Sequence, residues 1–434
     1  MGEWKKVRIG EIFHLEKGCL QSSKCIQGKY HFITAAKDWK THNTYTHDCE
    51  AIVYAVAASG SLGQAHYING KFIASDLCLI LTEKDKTKYP INFLFYQIIF
   101  ESLRDEVVSK TKTGTSKEAI SQKNFSAYEI PYFSIDFQNA NYQRLINAKK
   151  IIAEINKEIE AQKLYVKQLR RNILQDAIEG KLTADWRKEH PVQKGNPDYD
   201  AEALFELIQK ERKVDKKRKT LPPILDAEKP FELPTGWKWV RLGEITTLIT
   251  DGKHGDSIDQ ADSGYFFLSA KDIQNEQLIY ANARQIIKED FLEIHRRTNL
   301  EPGDVCIVNT GATIGKFAIA PDNKRTYYTT FQKSVAVVKL VKPFVKNKYM
   351  KYFFMRNVPR LIKKSWGSAI NNLLLSDMRK EMVPLPPLIE QDKIVLIVGN
   401  ILKKVDQLEQ QISQRKGYTN ELMKNILRRA FEEK

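Results

Sequence analysis

The segment WKKVRIGEI (Trp4–Ile12) returns more than two hundred residues later as WKWVRLGEI (Trp237–Ile245). Seven of nine positions coincide: Trp4, Lys5, Val7, Arg8, Gly10, Glu11 and Ile12 match Trp237, Lys238, Val240, Arg241, Gly243, Glu244 and Ile245. At roughly one chance in twenty per position from average composition, that agreement is not accidental. A chain that opens twice is expected to fold twice. Its 434 residues exceed one ordinary core and suit two or three domains.

Further anchors extend the repeat. Ala36–Asp38 recurs at Ala270–Asp272, and SGSLG (Ser59–Gly63) recurs loosely as TGATIG (Thr310–Gly315). The spacing drifts between these anchors, as loops of unequal length would make it. From Gly114 onward it stops drifting: Gly114, Pro131, Asn172-Ile173-Leu174 and Lys181 align without a gap to Gly367, Pro384, Asn425-Ile426-Leu427 and Lys434. Each half therefore reads as a variable globular part followed by a segment of constant length.

That segment reads as a long helix. Leu145, Ala148, Ile152, Ile155, Ile159, Val166, Leu169 and Ile173 follow a 3-4 spacing, with no proline from Phe137 to Lys181. Val398, Ile401, Val405, Leu408, Ile412, Leu422 and Ile426 repeat the stripe in the second half. Apolar residues at both heptad positions indicate a coiled coil, expected to be antiparallel within the chain. About 40 helical residues make a rod of roughly 60 Å. The polar breaks Gln162 and Arg415 fall at corresponding places and are expected to set coiled-coil register near an approximate two-fold axis. The expected architecture is a mixed α/β (α+β) chain with an internal pseudo-two-fold repeat. Globular parts at 1–135 and 234–386 are followed by helices at 136–181 and 387–434. A connector at 182–233 carries a loop, a short helix at Ala201–Arg212 and the basic run Lys216–Lys219.

A hydrophobic fraction of 42% and a charged fraction of 28% place the chain among soluble globular proteins. No stretch approaches the roughly 20 apolar residues that span a bilayer. The longest, Ile91–Phe100, is interrupted by Asn92 and Gln97, and the expected location is cytoplasmic. Cys19, Cys25, Cys49, Cys78 and Cys306 form no CxxC pair and are expected to be reduced packing residues. A net charge of +16 points to a polyanionic partner, nucleic acid first.

Apparent enzyme signatures do not hold together. NPDY (Asn196–Tyr199) is similar to the NPP(Y/F) motif of amino-methyltransferases, but Asp198 replaces its second proline and no FxGxG cofactor loop lies upstream. Pro197-Asp198 with Glu211 and Lys213 spells the PD…ExK pattern of metal-dependent nucleases, yet Ala201–Lys213 reads as helix where such carboxylates need strands. The chain has no phosphate loop, HExxH helix or GxSxG elbow. His42 and His47 lack a third ligand, so the expectation is no catalytic residue and no metal.

The loops are more suggestive. SGSLGQ offers Ser59, Gly60, Ser61 and Gly63, and TGATIGK offers Thr310, Gly311, Thr313 and Lys316: small and hydroxyl residues in turns that DNA backbone can approach. Plain tight turns between strands would use the same residues. Before the shared glycines, VSKTKTGTSK carries Lys110, Lys112, Thr113 and Thr115, and LIKKSWGSAINN carries Lys363, Lys364, Trp366, Ser368 and Asn371. The lysines suit phosphates, and the remaining side chains suit base edges or sugar. Lys253 and His254 sit in a glycine-flanked loop whose counterpart near Gly18 has Cys19. Lys37 and Lys271 belong to the repeated AKD, where a salt bridge to Asp38 or Asp272 competes with DNA contact. Trp4 and Trp237 read as packing residues.

GWKWVRLGEI, TGATIGK, GSAINNLLLSDMRKEMVPLPPLIEQDKI, GKLTADWRKEHP and LPTGW, with the duplicated layout, resemble the specificity subunit of type I restriction-modification systems across essentially the whole chain. In the first half IPYFSIDFQ departs from VPLPPLIEQ, although Pro131 and Gln138 keep their alignment with Pro384 and Gln391. The resemblance implies two target recognition domains, each reading half of a bipartite double-stranded DNA site, held apart by the helices. It also implies two docked modification (methyltransferase) subunits that use S-adenosylmethionine on adenine N6. Restriction subunits, with translocase and nuclease activity, bring ATP and Mg²⁺. On that reading this chain binds no cofactor itself. Two short readouts on a spacer multiply specificity, because each mismatch costs only about 1–3 kcal/mol. The competing reading is a self-contained restriction or modification enzyme with an unrecognised active site.

Overall fold

The computed structural model describes residues 4–58, 60–113, 118–212, 221–365 and 372–432. It divides into two compact units, Met1–Lys163 with Gln410–Lys434, and Leu164–Glu409.

The first unit runs β1 (Lys5–Arg8), α1 (Ile9–Ile12), β2 (Phe13–Lys17), β3 (Tyr30–Ile33), β4 (Lys40–His42), β5 (His47–Ala55), β6 (Ala65–Ala74) and β7 (Cys78–Glu83). α2 (Phe93–Ser102), α3 (Arg104–Thr111), β8 (Lys112–Thr113), β9 (Ala119–Ile120), α4 (Gln122–Ala127) and β10 (Glu129–Tyr132) lead into α5 (Ile135–Ile178). A six-stranded sheet has the order β2-β7-β5-β6-β3-β4, with only β3–β6 parallel. Successive side chains of a strand face opposite sides. On β5, Ile52 and Tyr54 enter one core with Leu79 and Leu81, while Ala51, Val53 and Ala55 enter a second with Cys78 and Ile80. The apolar run from Ile91 is α2. Asn92 Oδ1 caps it by accepting the Phe95 amide at 3.0 Å, and six of its side chains, including Phe95 and Tyr96, are buried in the first core. Among the described residues no helix is long and apolar enough to cross a membrane.

The second unit takes α5 from Leu164, then α6 (Ala184–Glu189), α7 (Ala201–Glu211), β11 (Lys238–Arg241), β12 (Thr246–Asp251), β13 (Phe266–Leu268), β14 (Ile273–Gln274) and β15 (Gln277–Leu278). α8 (Lys288–Thr298), β16 (Val305–Val308), β17 (Phe317–Ile319), α9 (Lys324–Tyr327), β18 (Thr329–Phe331) and β19 (Val335–Leu340) follow. α10 (Asn347–Ser365), α11 (Leu375–Lys380) and β20 (Met382–Leu385) precede α12 (Leu388–Glu432). Its sheet has the order β12-β19-β16-β17, and β13 pairs in parallel with β18.

The repeat persists through the part where the sequence drifts. β2-β7-β5-β6 and β12-β19-β16-β17 share one connectivity. The Gly18 and Gly252 amides bond to the carbonyls of Cys78 and Val335, and those of Cys19 and Lys253 to Ala74 and Phe331. A β-carbon on either glycine would lie 2.1 Å from Ser75 O or 1.8 Å from Phe331 O, so only glycine fits this close approach. The gap-free register also starts before Gly114: the Tyr96 hydroxyl donates to Pro131 O at 3.3 Å and the Tyr349 hydroxyl to Pro384 O at 2.6 Å. Two antiparallel ribbons close the halves in one register, Lys5 opposite Tyr132 and Lys238 opposite Leu385.

The two tryptophans of the repeated opening pack to different depths, Trp4 lying against Phe133 at 6.5 Å between ring centroids. Trp237 is buried, its indole N–H donating to Glu390 Oε2 at 2.8 Å, whereas Trp4 is 41% exposed. The residue aligned with Glu390 is Phe137, which stacks on Phe133 at 4.6 Å and offers an indole no acceptor. Cys19 is likewise exposed rather than packed.

In the first unit Lys416 of α12 pairs with Glu160 of α5 at 2.9 Å, and Ile426 packs on the core that contains Leu145. In the second, Arg170 pairs with Asp406 at 2.5 Å and Thr183 donates to Glu390 at 2.6 Å. In both, rising numbers on the α5 side meet falling numbers on α12, an antiparallel pairing. The buried seam is narrower than the apolar stripe. Leu145, Ile159, Val166 and Ile173, with Val398, Val405 and Ile412, are buried at one heptad position, while Ile155, Leu169, Leu408 and Leu422 are exposed at the other.

Candidate nucleic-acid interface

The two small-residue turns are the same object. In the first unit the Ala55 amide bonds to Gln64 O, Gly63 N–H to Ala55 O and Gln64 N–H to Ser61 O. In the second, Val308 N–H bonds to Lys316 O, Gly315 N–H to Val308 O and Lys316 N–H to Thr313 O. Gly63 and Gly315 take positive φ, 78° and 87°, which closes each hairpin at the cost only glycine avoids. Thus Ser61 corresponds to Thr313 and Gln64 to Lys316.

Different residues hold the turns in place. Arg104, on α3, donates to Leu62 O at 2.6 Å and Gly60 O at 3.0 Å, and a β-carbon on Gly63 would meet its Cγ at 2.7 Å. Asn372 accepts the Thr310 hydroxyl at 3.0 Å and pairs with Thr310 through the backbone. Gly311, at φ 100°, is exposed. Sequence reasoning missed Arg104, whose contact spans 42 positions and follows no local pattern. Ser59 lies outside the described residues.

Several candidate cations already have partners. Lys110 pairs with Glu106 at 2.8 Å and lies over the Tyr128 ring. That lysine, and then the Tyr128 hydroxyl, hold the Glu106 carboxyl below the usual carboxylate range. Lys112 pairs with Glu118 at 2.7 Å, and the Thr113 hydroxyl donates to Ala119 O at 3.3 Å. Lys253 lies between Glu293 (3.1 Å) and Asp290 (3.4 Å); the Glu293 bond raises its pKa first, against some desolvation. His254 is exposed, 3.6 Å from Asp251. Such pairs are small stabilisers at an exposed surface and exchangeable for phosphate. Thr115, Trp366, Ser368 and Asn371 lie outside the described residues, as do the side chains of Lys363 and Lys364 in α10.

Lys37, Lys271 and Lys316 are exposed and form no ion pair among the described residues. The salt bridge considered for the repeated AKD is not what Asp272 makes. Its buried carboxylate accepts the Ser269 amide at 2.8 Å and hydroxyl at 2.9 Å, capping a 3-10 turn and leaving Lys271 outward. In the first unit the same triplet forms a bend with Asp38 exposed. Gln162 is half-buried and bonds to Glu158 on its own helix, and Arg415 is exposed. The cross-helix contact at that level uses Lys416 and Glu160. His42 accepts the Ile26 amide and His47 pairs with Glu16. Among the described residues no three metal-ligating side chains come together.

Two repeated halves, each followed by a long helix and each carrying the same hydrogen-bonded turn, define a duplicated domain-plus-helix module. The type I restriction modification DNA specificity domain matches residues 1–162 and 234–415, and the chain belongs to that family. It is 28% identical over 272 residues to the EcoAI type I restriction enzyme specificity subunit of Escherichia coli, covering 56% of this chain and 41% of that one. It is 23% identical over 445 residues to the EcoDI specificity subunit of the same organism, covering 99% and 88%. The match thus spans less than half the length of the EcoAI relative. A chain from a solved structure addressing complex assembly and conformational transition of the type I restriction-modification system shares the fold. Its TM-score is 0.60 at 16% identity, over 99% of this chain and 98% of that one.

Proposed function

We propose that the chain is the DNA-addressing subunit of a type I restriction-modification complex. Residues 1–135 read one half of a bipartite double-stranded site and 234–386 read the other. The helices at 136–181 and 387–434, with the connector 182–233, set the gap, with register near Gln162 and Arg415. The pairing of Glu160 with Lys416 supports this register, since it sets Gln162 opposite position 414. Two methyltransferase subunits dock on the helices, where Leu164 and Tyr165 stand 66% and 68% exposed. Exposed apolar side chains of that size suit a protein interface.

In this scheme adenine N6 methylation uses S-adenosylmethionine on the modification subunits, ATP and Mg²⁺ serve the restriction subunits, and this chain supplies no catalytic group. The complex acts in the cytoplasm. The observation that carries the reading is the common turn, Ser61–Gln64 and Thr313–Lys316, built with the same backbone bonds at the end of matching strands in two like sheets whose other loops differ. Short readouts joined at a set distance multiply their discrimination.

The test is co-expression with the modification subunits and mapping of methylated adenines. A split motif is expected, each half exchanged separately when 1–135 or 234–386 is swapped for that of a relative. Methylation or cleavage by the purified chain alone would instead establish the self-contained enzyme.

A further inference from the structure

The hairpin β14–β15 is an addition of the second half. In the first half the chain passes from Asp38 almost directly into β4, which pairs with β3. In the second, a hairpin intervenes between Asp272 and Gln285, where a bridge to Phe266 of β13 resumes the common path. The insertion is anchored at its base. Ile273 and Leu278 are buried in the core beneath the sheet, and the Ile279 amide bonds to Asp272 O at 2.8 Å. Its turn has two residues, Asn275 and Glu276, at φ 48° and 61°, the left-handed pair that matches strand twist in the tightest hairpins. Lys351 pairs with Glu276 at 2.5 Å, so the one acid at the tip is held and its charge offset.

What the tip presents is amide. Gln274, Asn275 and Gln277 are all exposed. Gln274 spends one N–H on Lys271 O at 2.9 Å, leaving its second N–H and its oxygen. The side-chain amides of Asn275 and Gln277 make no hydrogen bond among the described residues. A groove of about 470 Å³ separates this tip from Ile314–Lys316 of the repeated turn. Exposed, unpaired Lys316 lies on its far side, and Lys271 just before the hairpin. A side-chain amide carries donor and acceptor in one plane and can pair with adenine N6 and N7; a two-stranded ribbon is narrow enough for the major groove. Lysines on either flank suit the phosphates that position such a ribbon.

We propose that Gln274, Asn275 and Gln277 at the β14–β15 tip read base edges in the major groove of the second half-site, with Lys316 and Lys271 on the flanking phosphates. The proposal rests on the reading of the chain as a DNA-addressing subunit. It explains why this element occurs in one half alone: it belongs to the address, not to the frame.

The test uses the full chain assembled with its modification subunits. In a Gln274→Ala, Asn275→Gly variant, which keeps a residue suited to the left-handed turn, methylated-site mapping should show relaxed preference in the half-site exchanged by swapping 234–386. The other half-site should be unchanged. Binding titrations against single-base variants of that half-site should show discrimination falling roughly 5- to 150-fold for each lost contact. Lys316→Ala should weaken all sites alike and lower the salt slope by about one. An unaltered motif in the double variant overturns the proposal. If that variant modifies no DNA, the titrations decide: undiminished discrimination again overturns it, and lost discrimination at those bases alone supports it. Absence of any split motif with the unsubstituted chain would instead remove the addressing function itself.

Discussion

Gln138 and Gln391 make the same three hydrogen bonds in the two halves. Each is fully buried. Gln138 accepts the Asn92 amide at 2.7 Å and donates to Pro90 O and Phe133 O. Gln391 accepts the Lys346 amide at 2.9 Å and donates to Phe344 O and Pro386 O. Each glutamine ties the first turn of a long helix to the segment before the preceding α2 or α10. Gln391→Leu, close in volume, leaves those groups unpaired at about 1–3 kcal/mol each. Thermal unfolding of the full chain should show the loss, and a change below about 1 kcal/mol would refute this account.

Glu390 holds what Phe137 does not. Its buried carboxylate takes Arg187 at 2.5 Å, Thr183 at 2.6 Å and Trp237 at 2.8 Å. Removing one partner of a buried ion pair strands the other, so Glu390→Ala is expected to cost about 3–5 kcal/mol. Urea titration should report that loss, with Trp237 emission shifting to the red in the folded state. An unchanged midpoint would show that water replaces the carboxylate.

Arg104 positions the first turn through two carbonyls. Arg104→Ala is expected to cost about 1.5–3 kcal/mol and, on the proposed function, to loosen recognition only of the half-site assigned there to residues 1–135. Methylated-site mapping checks it, and equal relaxation of both half-sites counts against the assignment.

Two histidines give the fold an acid-side sensitivity. Burial depresses the pKa of His66, and burial followed by the Lys339 charge depresses that of His295. In the unfolded chain both titrate near the ordinary value of about 6.5, so below it the unfolded state binds more protons and stability declines as the pH is lowered. The penalty is complete once pH lies below the folded values. The depressed carboxyls Glu106 and Asp290 add to the loss only in the lower, carboxylate range. Melting temperatures at pH 7.5 and 5.5 should differ in favour of 7.5, less so in His66→Gln, His295→Gln. Greater stability at 5.5 would reverse the sign.

The frame was legible because its residues repeat: Trp4–Ile12, Pro131 and Gln138 have visible counterparts. The matching four-stranded sheets were not, since strand pairing preserves backbone bonds such as Gly18 to Cys78 and Gly252 to Val335 while side chains diverge. Periodicity located both helices but could not tell which of two apolar heptad positions faces the partner; Leu169 and Ile173 look alike in sequence, and only Ile173 is buried. Among candidate contacts, residue type picked the lysines but not their neighbours. Lys253 sits between two acids that are remote in sequence, whereas Lys316 has none among the described residues. The β14–β15 tip went unnoticed because an amide pair at QNEQ carries no local signature.

The closing ribbons have a consequence for inheritance. Because β1 lies against β10 and β11 against β20, the chain leaves each recognition insert beside the point where it came in. A replacement insert need satisfy only one boundary condition, two ends a ribbon's width apart, whatever lies between them. Crossovers within the shared opening or at the proline strand should therefore yield folded hybrids, making each half an interchangeable cassette on a scaffold that never has to be redesigned.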